Sequence, residues 1–198
     1  MKIKSDQVHF EPASYTDQHG RVFYFEGDVY RAISYKMAPI YRELLQSKWI
    51  DHLFEIGLIE TEITPLEMDG YGLILKHRKI PFISYGFEWS GPMLKDAALL
   101  TIDLSIELAK NGFELQDAHP WNVLFEGCKP KYIDFGSIIP IGPRKDWSPK
   151  NEFMKCFFYP MYLISHGFSK QSRSAMSDYT KWGVRSIDLP KIFPFKHR

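Results

Sequence analysis

Asp117-Ala-His-Pro-Trp-Asn122 is followed, after a short apolar run, by Tyr132-Ile-Asp134-Phe-Gly136. The stretch offers two carboxylates and a carboxamide, side chains that accept protons or give oxygen to a hard cation. Asn122 runs straight into the apolar Val123, Leu124 and Phe125, and turn formers Glu126-Gly127-Cys128-Lys129-Pro130 come next. Lys131, Tyr132 and Ile133 then read as a second strand that delivers Asp134. The pattern predicts a β-hairpin with a polar residue at each outer end, which brings Asn122 and Asp134 together. Two converging oxygen donors suit Mg²⁺, which takes a few side-chain oxygens and completes its shell with substrate phosphates. Asp-x4-Asn alone arises by chance in roughly a third of chains this long. With Asp-Phe-Gly at one fixed spacing the odds fall to on the order of 1 in 10,000, so the combination reads as a site.

The elements that must position this loop are legible around it. Leu94, Ala97, Ala98, Thr101, Leu104 and Leu108 recur at helical spacing and stop at Asn111-Gly112, predicting an amphipathic helix over 93–110 that leads into the loop. Near the N-terminus, 22–25 and 29–33 alternate around Glu26-Gly27-Asp28 and predict a hairpin, with Val29, Arg31 and Ile33 on one face. Pro39 marks the start of one long helix, in which Ile40, Leu44, Leu45, Trp49, Leu53 and Ile56 recur up to Gly57. Leu73 to Lys76 reads as a buried strand. The segment 151–166 carries Phe153, Phe157, Phe158, Tyr159 and Tyr162, too aromatic to be left in water, and Pro160 should kink it or start a turn. The tail, with Pro190 and Pro194, is expected to be irregular and packed by Ile192, Phe193 and Phe195. There is no internal repeat and no low-complexity linker. The fold class is α+β.

At 198 residues with 44% hydrophobic and 16% aromatic residues, the chain suits one domain or two small lobes with a packed core. No apolar run is long enough to span a membrane, and the first residues lack the apolar stretch of a signal peptide. Cys128 and Cys156 make neither a disulfide framework nor a metal cluster, so a reducing cytoplasm is expected and both read as bystanders. Net charge is +1, distributed as +7 over 141–198 and −6 over the rest. The basic residues are scattered, so an ordinary solvated surface is expected and no nucleic-acid binding.

Asp117-x-His119-Pro120-x-Asn122 with Ile133-Asp134 resembles the catalytic segment of the protein-kinase-like superfamily, nearer its small-molecule branch of aminoglycoside and choline phosphotransferases. A likeness over most of the chain is carried by Val29-Tyr-Arg-Ala-Ile33, Arg78-Lys-Ile-Pro-Phe-Ile-Ser-Tyr85, Glu88-Trp-Ser90, the run from Met93 to Leu100, and Gln116-Asp-Ala118. These look like the kinase-like region preceding the methyltransferase domain in certain bacterial S-adenosylmethionine-dependent methyltransferases. The resemblance implies a reduced bilobal fold, with a β-rich N-lobe over 1–79, a hinge at His77-Arg78-Lys79 beside which an adenine lies, and a helical C-lobe over 80–198 with a ligand cleft between them. It implies that ATP and Mg²⁺ are the cofactors. Asp117 then acts as base toward a substrate hydroxyl, and Asn122 and Asp134 hold the metal. Arg31 stands where the family's strand offers a phosphate-contacting Lys, with Glu43 as its helix partner; a plain structural ion pair is the alternative, and Lys36 a lesser substitute. His119 is expected to hold the loop.

The chain also departs from the family pattern. It has no Gly-x-Gly-x-x-Gly loop, Leu115 replaces the His two before the catalytic Asp, and no activation segment follows Gly136. A docking surface for protein substrates is therefore not expected, and a small-molecule or glycan hydroxyl is the expected acceptor. Two functions stay open. One is phosphoryl transfer from ATP; the other is a non-catalytic pseudokinase module serving a methyltransferase domain.

Overall fold

The computed structural model describes residues 1–15, 17–143, 146–178 and 183–192. The chain is mixed α+β and divides into two compact units, Met1–Pro81 and Phe82–Arg198.

In the first unit, five antiparallel strands lie in the order β2 (His9–Phe10), β3 (Gly20–Phe25), β4 (Asp28–Ile33), β7 (Leu73–His77) and β5 (Thr61–Ile63). Apart from that sheet, β1 (Lys2–Ile3) pairs in parallel with β6 (Glu67–Met68). The β3–β4 hairpin turns on Glu26 and Gly27, both at positive φ (51° and 86°), the twist a two-residue connection needs. Alternation along β4 sorts its faces. Tyr30 and Ala32 join Phe23, Ile74, Ile3 and Met68 in an apolar core, with the Phe23 and Tyr30 rings stacked at 5.3 Å. Arg31 points the other way, buried beside its cross-strand partners Val22 and Leu75.

The single long helix expected from Pro39 to Gly57 is two: α1 (Ala38–Gln46) and α2 (Ile50–Ile56). Ser47 makes the break. Its hydroxyl donates to the Leu44 carbonyl at 2.6 Å while its own backbone turns extended at ψ 146°. A short polar side chain that competes for the backbone in this way ends a helix whose apolar spacing would have continued.

The second unit opens with α3 (Gly91–Lys110), capped by Ser90 Oγ accepting the Met93 N–H, and closed by Asn111 and by Gly112 at φ 81°. Its inner face is Leu94, Ala97, Ala98, Thr101, Leu104 and Leu108, all buried, as their spacing predicts. The strands β8 (Phe113–Leu115), β9 (Val123–Glu126), β10 (Lys129–Tyr132) and β11 (Ile138–Pro140) form two antiparallel pairs. Helices α4 (Lys150–Phe153), α5 (Tyr159–Ser165), α6 (Ser169–Ser177) and α7 (Leu189–Ile192) follow.

Between α4 and α5 the helix widens over Met154–Phe158, where Tyr159 N–H reaches back to the Met154 carbonyl. In that wider register the next donor would be Pro160, which has none, so the Lys155 carbonyl is left over. Val184 N–H takes it at 2.9 Å. Gly183 makes the approach possible: it sits at φ +99°, and a Cβ there would stand 2.5 Å from the Lys155 oxygen. The expected proline kink is thus a widened turn sealed by a distant strand of chain. The tail expected to be irregular is helical over Leu189–Ile192, with Ile192 packed against the buried Leu163 and Val184 as expected, and Phe193, Pro194 and Phe195 lie outside the described residues.

Candidate functional site

The β9–β10 hairpin is tighter than its turn formers imply. Glu126 pairs with Lys129, so the turn is only Gly127-Cys128, and Pro130 lies within β10 opposite Phe125. In a two-residue hairpin that second pair exchanges no hydrogen bonds, so the missing proline N–H costs nothing there. The same register continues to Asn122 and Ile133, where Ile133 N–H donates to the Asn122 carbonyl at 2.8 Å. Asp134 is therefore one residue beyond the partner of Asn122.

A second pairing brings Asp117 in. Leu115 of β8 lies opposite Ile138 of β11, and Gln116 N–H donates to the Ser137 carbonyl at 2.7 Å. One residue further, Asp117 N–H donates to Ser137 Oγ at 3.0 Å. The two pairings meet at the fully buried Tyr132. Its hydroxyl donates to the Asp117 carbonyl at 2.9 Å, receives Asn122 Nδ2 at 3.2 Å, and lies 3.2 Å from Ser137 Oγ. A phenol has one proton, and the nearer Asp117 carbonyl takes it, so the Ser137 hydroxyl donates across the last contact. Both backbone polar groups of Asp117 are thus held by one Tyr–Ser pair. The loop is closed by Asn122 N–H donating to the His119 carbonyl at 3.2 Å and by Glu152, whose carboxylate accepts Ala118 N–H at 2.7 Å.

The electrostatics agree with this convergence. Burial drives the Tyr132 hydroxyl well above the ordinary phenol range, and the Asp134 carboxylate adds to the shift, with Asp117 contributing in the same direction. The Asp117 carbonyl and the Asn122 amide thus contact one hydroxyl, on which the charges of Asp134 and Asp117 also act. Because Tyr132 Oη needs a donor, the Asn122 amide turns its Nδ2 inward, and Oδ1 is its remaining oxygen donor. An amide oxygen and a carboxylate fit a hard cation that shares its shell with phosphate. Among the described residues no cluster of three or more His, Cys, Asp or Glu could hold a metal by itself.

The first-unit candidates fare differently. Arg31 is buried and ion-paired with Asp17 at 2.6 Å, not with Glu43. Glu43 is exposed on α1, where the adjoining Leu44 turns inward instead. The expected Arg31–Glu43 pair is therefore not formed. On the same sheet face as Arg31, His77 Nδ1 lies 2.8 Å from Thr61 Oγ1, and burial first and the Arg31 charge second lower the His77 pKa to about 3. In the second unit, burial and then the Glu152 charge push the Cys156 thiol up to about 12, too high for a nucleophile at neutral pH. Cys128 is exposed at the hairpin tip.

No family model matches the chain. It is similar to nodulation protein NoeA of Rhizobium meliloti (strain 1021), 32% identical over 188 residues. That match covers 93% of this chain but only 39% of the relative's length. No described helix is long and apolar enough to cross a membrane.

Sequence reasoning missed Tyr132, Ser137 and Glu152. A signal for the first was present, since strand alternation puts Tyr132 on the side of Asp134. Ser137 and Glu152 carry none, because their partners Asp117 and Ala118 are brought to them only by chain reversal.

Proposed function

We propose that the chain is a reduced, bilobal kinase-like module that binds ATP with Mg²⁺ and transfers phosphate to a small-molecule or glycan hydroxyl. The observation that supports this reading is the Tyr132 hydroxyl, which bonds the Asp117 carbonyl and the Asn122 amide and on which the Asp134 charge acts. Asn122 and Asp134 would hold Mg²⁺, which supplies charge neutralisation on the transferring phosphate. Asp117 takes the proton of the attacking hydroxyl, and the Tyr132–Ser137 clamp on its backbone keeps it aimed. A five-stranded sheet in one unit and a mostly helical second unit with the metal hairpin are the parts this reading requires. It takes the chain to act in the cytoplasm, in the nodulation setting that the relative's name carries.

Arg31 favours a second reading. Its charge has a carboxylate partner in Asp17 and Glu43 faces solvent, so the expected Arg31–Glu43 pair is not formed. A non-catalytic pseudokinase module associated with a methyltransferase fits that.

Thermal-shift titration with ATP and Mg²⁺ separates the two. At a hundredfold excess over Kd, binding stabilises by about 2.7 kcal/mol, visible in units of this size. Asp117→Ala should then abolish turnover and spare binding, whereas Asp134→Ala should remove the Mg²⁺ dependence. No shift with any nucleotide rules out phosphoryl transfer.

A further inference from the structure

The helix α3 has a second apolar face. Its inner side is buried, so the opposite side of such a surface helix should be polar. Instead Leu99, Ile102, Ile106 and Ala109 follow one another at spacings of three, four and three, the a and d positions of a heptad. Leu99 and Ile106 are 46% and 49% exposed, Ala109 is exposed and Ile102 half-buried. One flank of this seam is charged. Asp96, Asp103 and Lys110 stand seven residues apart along it, all exposed. Lys110 pairs with Glu107 at 2.6 Å, yet its side chain stays 61% exposed, so a second carboxylate can approach it.

We propose that two copies of the chain meet on this face, α3 packed antiparallel against α3 about a twofold axis. Leu99 then lies over Ala109 of the second copy and Ile102 over its Ile106. Symmetry repeats both layers, so the seam closes without a polar residue inside it. In that register Asp96 comes within reach of Lys110 of the second copy, and the ion pair forms once at each end. A parallel pair would instead set Asp103 and Lys110 against Ala98 and Ser105 and match no charge, so complementarity selects the antiparallel arrangement. At the centre Asp103 meets its own copy, the one repulsive contact. A seam of this length belongs with the small interfaces below about 1,200 Å², so the dimer is weak and reversible. It forms whether or not the chain transfers phosphate.

Sedimentation velocity on the full chain, from about 10 µM to about 1 mM, covers the range in which small interfaces associate. The weight-average sedimentation coefficient is expected to rise toward that of a dimer, and Ile106→Glu to weaken association at least about tenfold. Asp96→Lys should weaken it by about three- to tenfold, and Asp96→Lys combined with Lys110→Asp should restore it. Asp103→Asn, which removes the central repulsion, should tighten it by a similar factor. Circular dichroism checks that each variant folds, and the surface charge variants give the readout if Ile106→Glu does not. A chain still monomeric at about 1 mM, association untouched by Ile106→Glu in a folded chain, or a charge exchange that fails to restore Asp96→Lys would each overturn the proposal. The first of these would leave the face to an unlike protein.

Discussion

Replacing Tyr132 with Phe removes one oxygen and keeps the ring, so it isolates the clamp at the centre of the site. That oxygen serves the Asp117 carbonyl, Asn122 Nδ2 and Ser137 Oγ, at 2.9, 3.2 and 3.2 Å. Each lost hydrogen bond is worth about 1 kcal/mol net, and a buried group left without a partner costs about 1–3 kcal/mol. Burying one hydroxyl fewer offsets part of this, leaving an expected loss of about 2–4 kcal/mol. Urea unfolding followed by tryptophan fluorescence measures it, with Tyr24→Phe as the control, because Tyr24 loses a half-buried bond to Glu11 and should cost about 1 kcal/mol. Ser137→Ala completes a double-mutant cycle. Tyr132 and Ser137 belong to one closed ring through Asp117, so the double variant should cost less than the sum by about 0.5–3 kcal/mol. Strict additivity, or a Tyr132→Phe cost no larger than that of Tyr24→Phe, would refute the clamp.

Gly183→Ala should destabilise the second unit by about 2–4 kcal/mol, since it adds a 2.5 Å clash with the Lys155 oxygen to a positive φ. Gly167→Ala, at φ +85° with open space around it, should cost only about 1 kcal/mol in the same urea assay. The folded His77 pKa of about 3 lies below the unfolded value, so the unfolded chain binds the extra proton and stability falls as pH drops below about 6.5. Between pH 7 and pH 5 that linkage removes about 2 kcal/mol, and a His77→Gln thermal-unfolding profile should be flatter over that window by a similar amount.

Much of this fold follows from short-range pattern. The buried face of α3, the turn at Glu26-Gly27 and the pairing of Asn122 with the segment that leads to Asp134 all follow from residues a few positions apart. Periodicity reports which side of an element is apolar, and turn formers report where the chain reverses. Those rules read Gly127 correctly and placed Pro130 in the turn, because they do not count hydrogen-bonded and open pairs along a ladder. They also carried one helix through Ser47, where a side-chain bond to Leu44 prevailed over apolar spacing.

Partner choice is what tertiary structure alone decided. Arg31 could pair with any carboxylate that folding brought near, and it was Asp17, from the segment before β3, that reached it. Tyr132, Ser137 and Glu152 close on Asp117 and Ala118 across 15, 20 and 34 residues of chain. Bonds of that span depend on where two chain reversals place the backbone, a quantity no local pattern encodes. Residue types could thus announce the carboxylates and the amide, whereas the hydroxyl that ties the Asp117 backbone to the Asn122 amide emerged only when the pairings were in place.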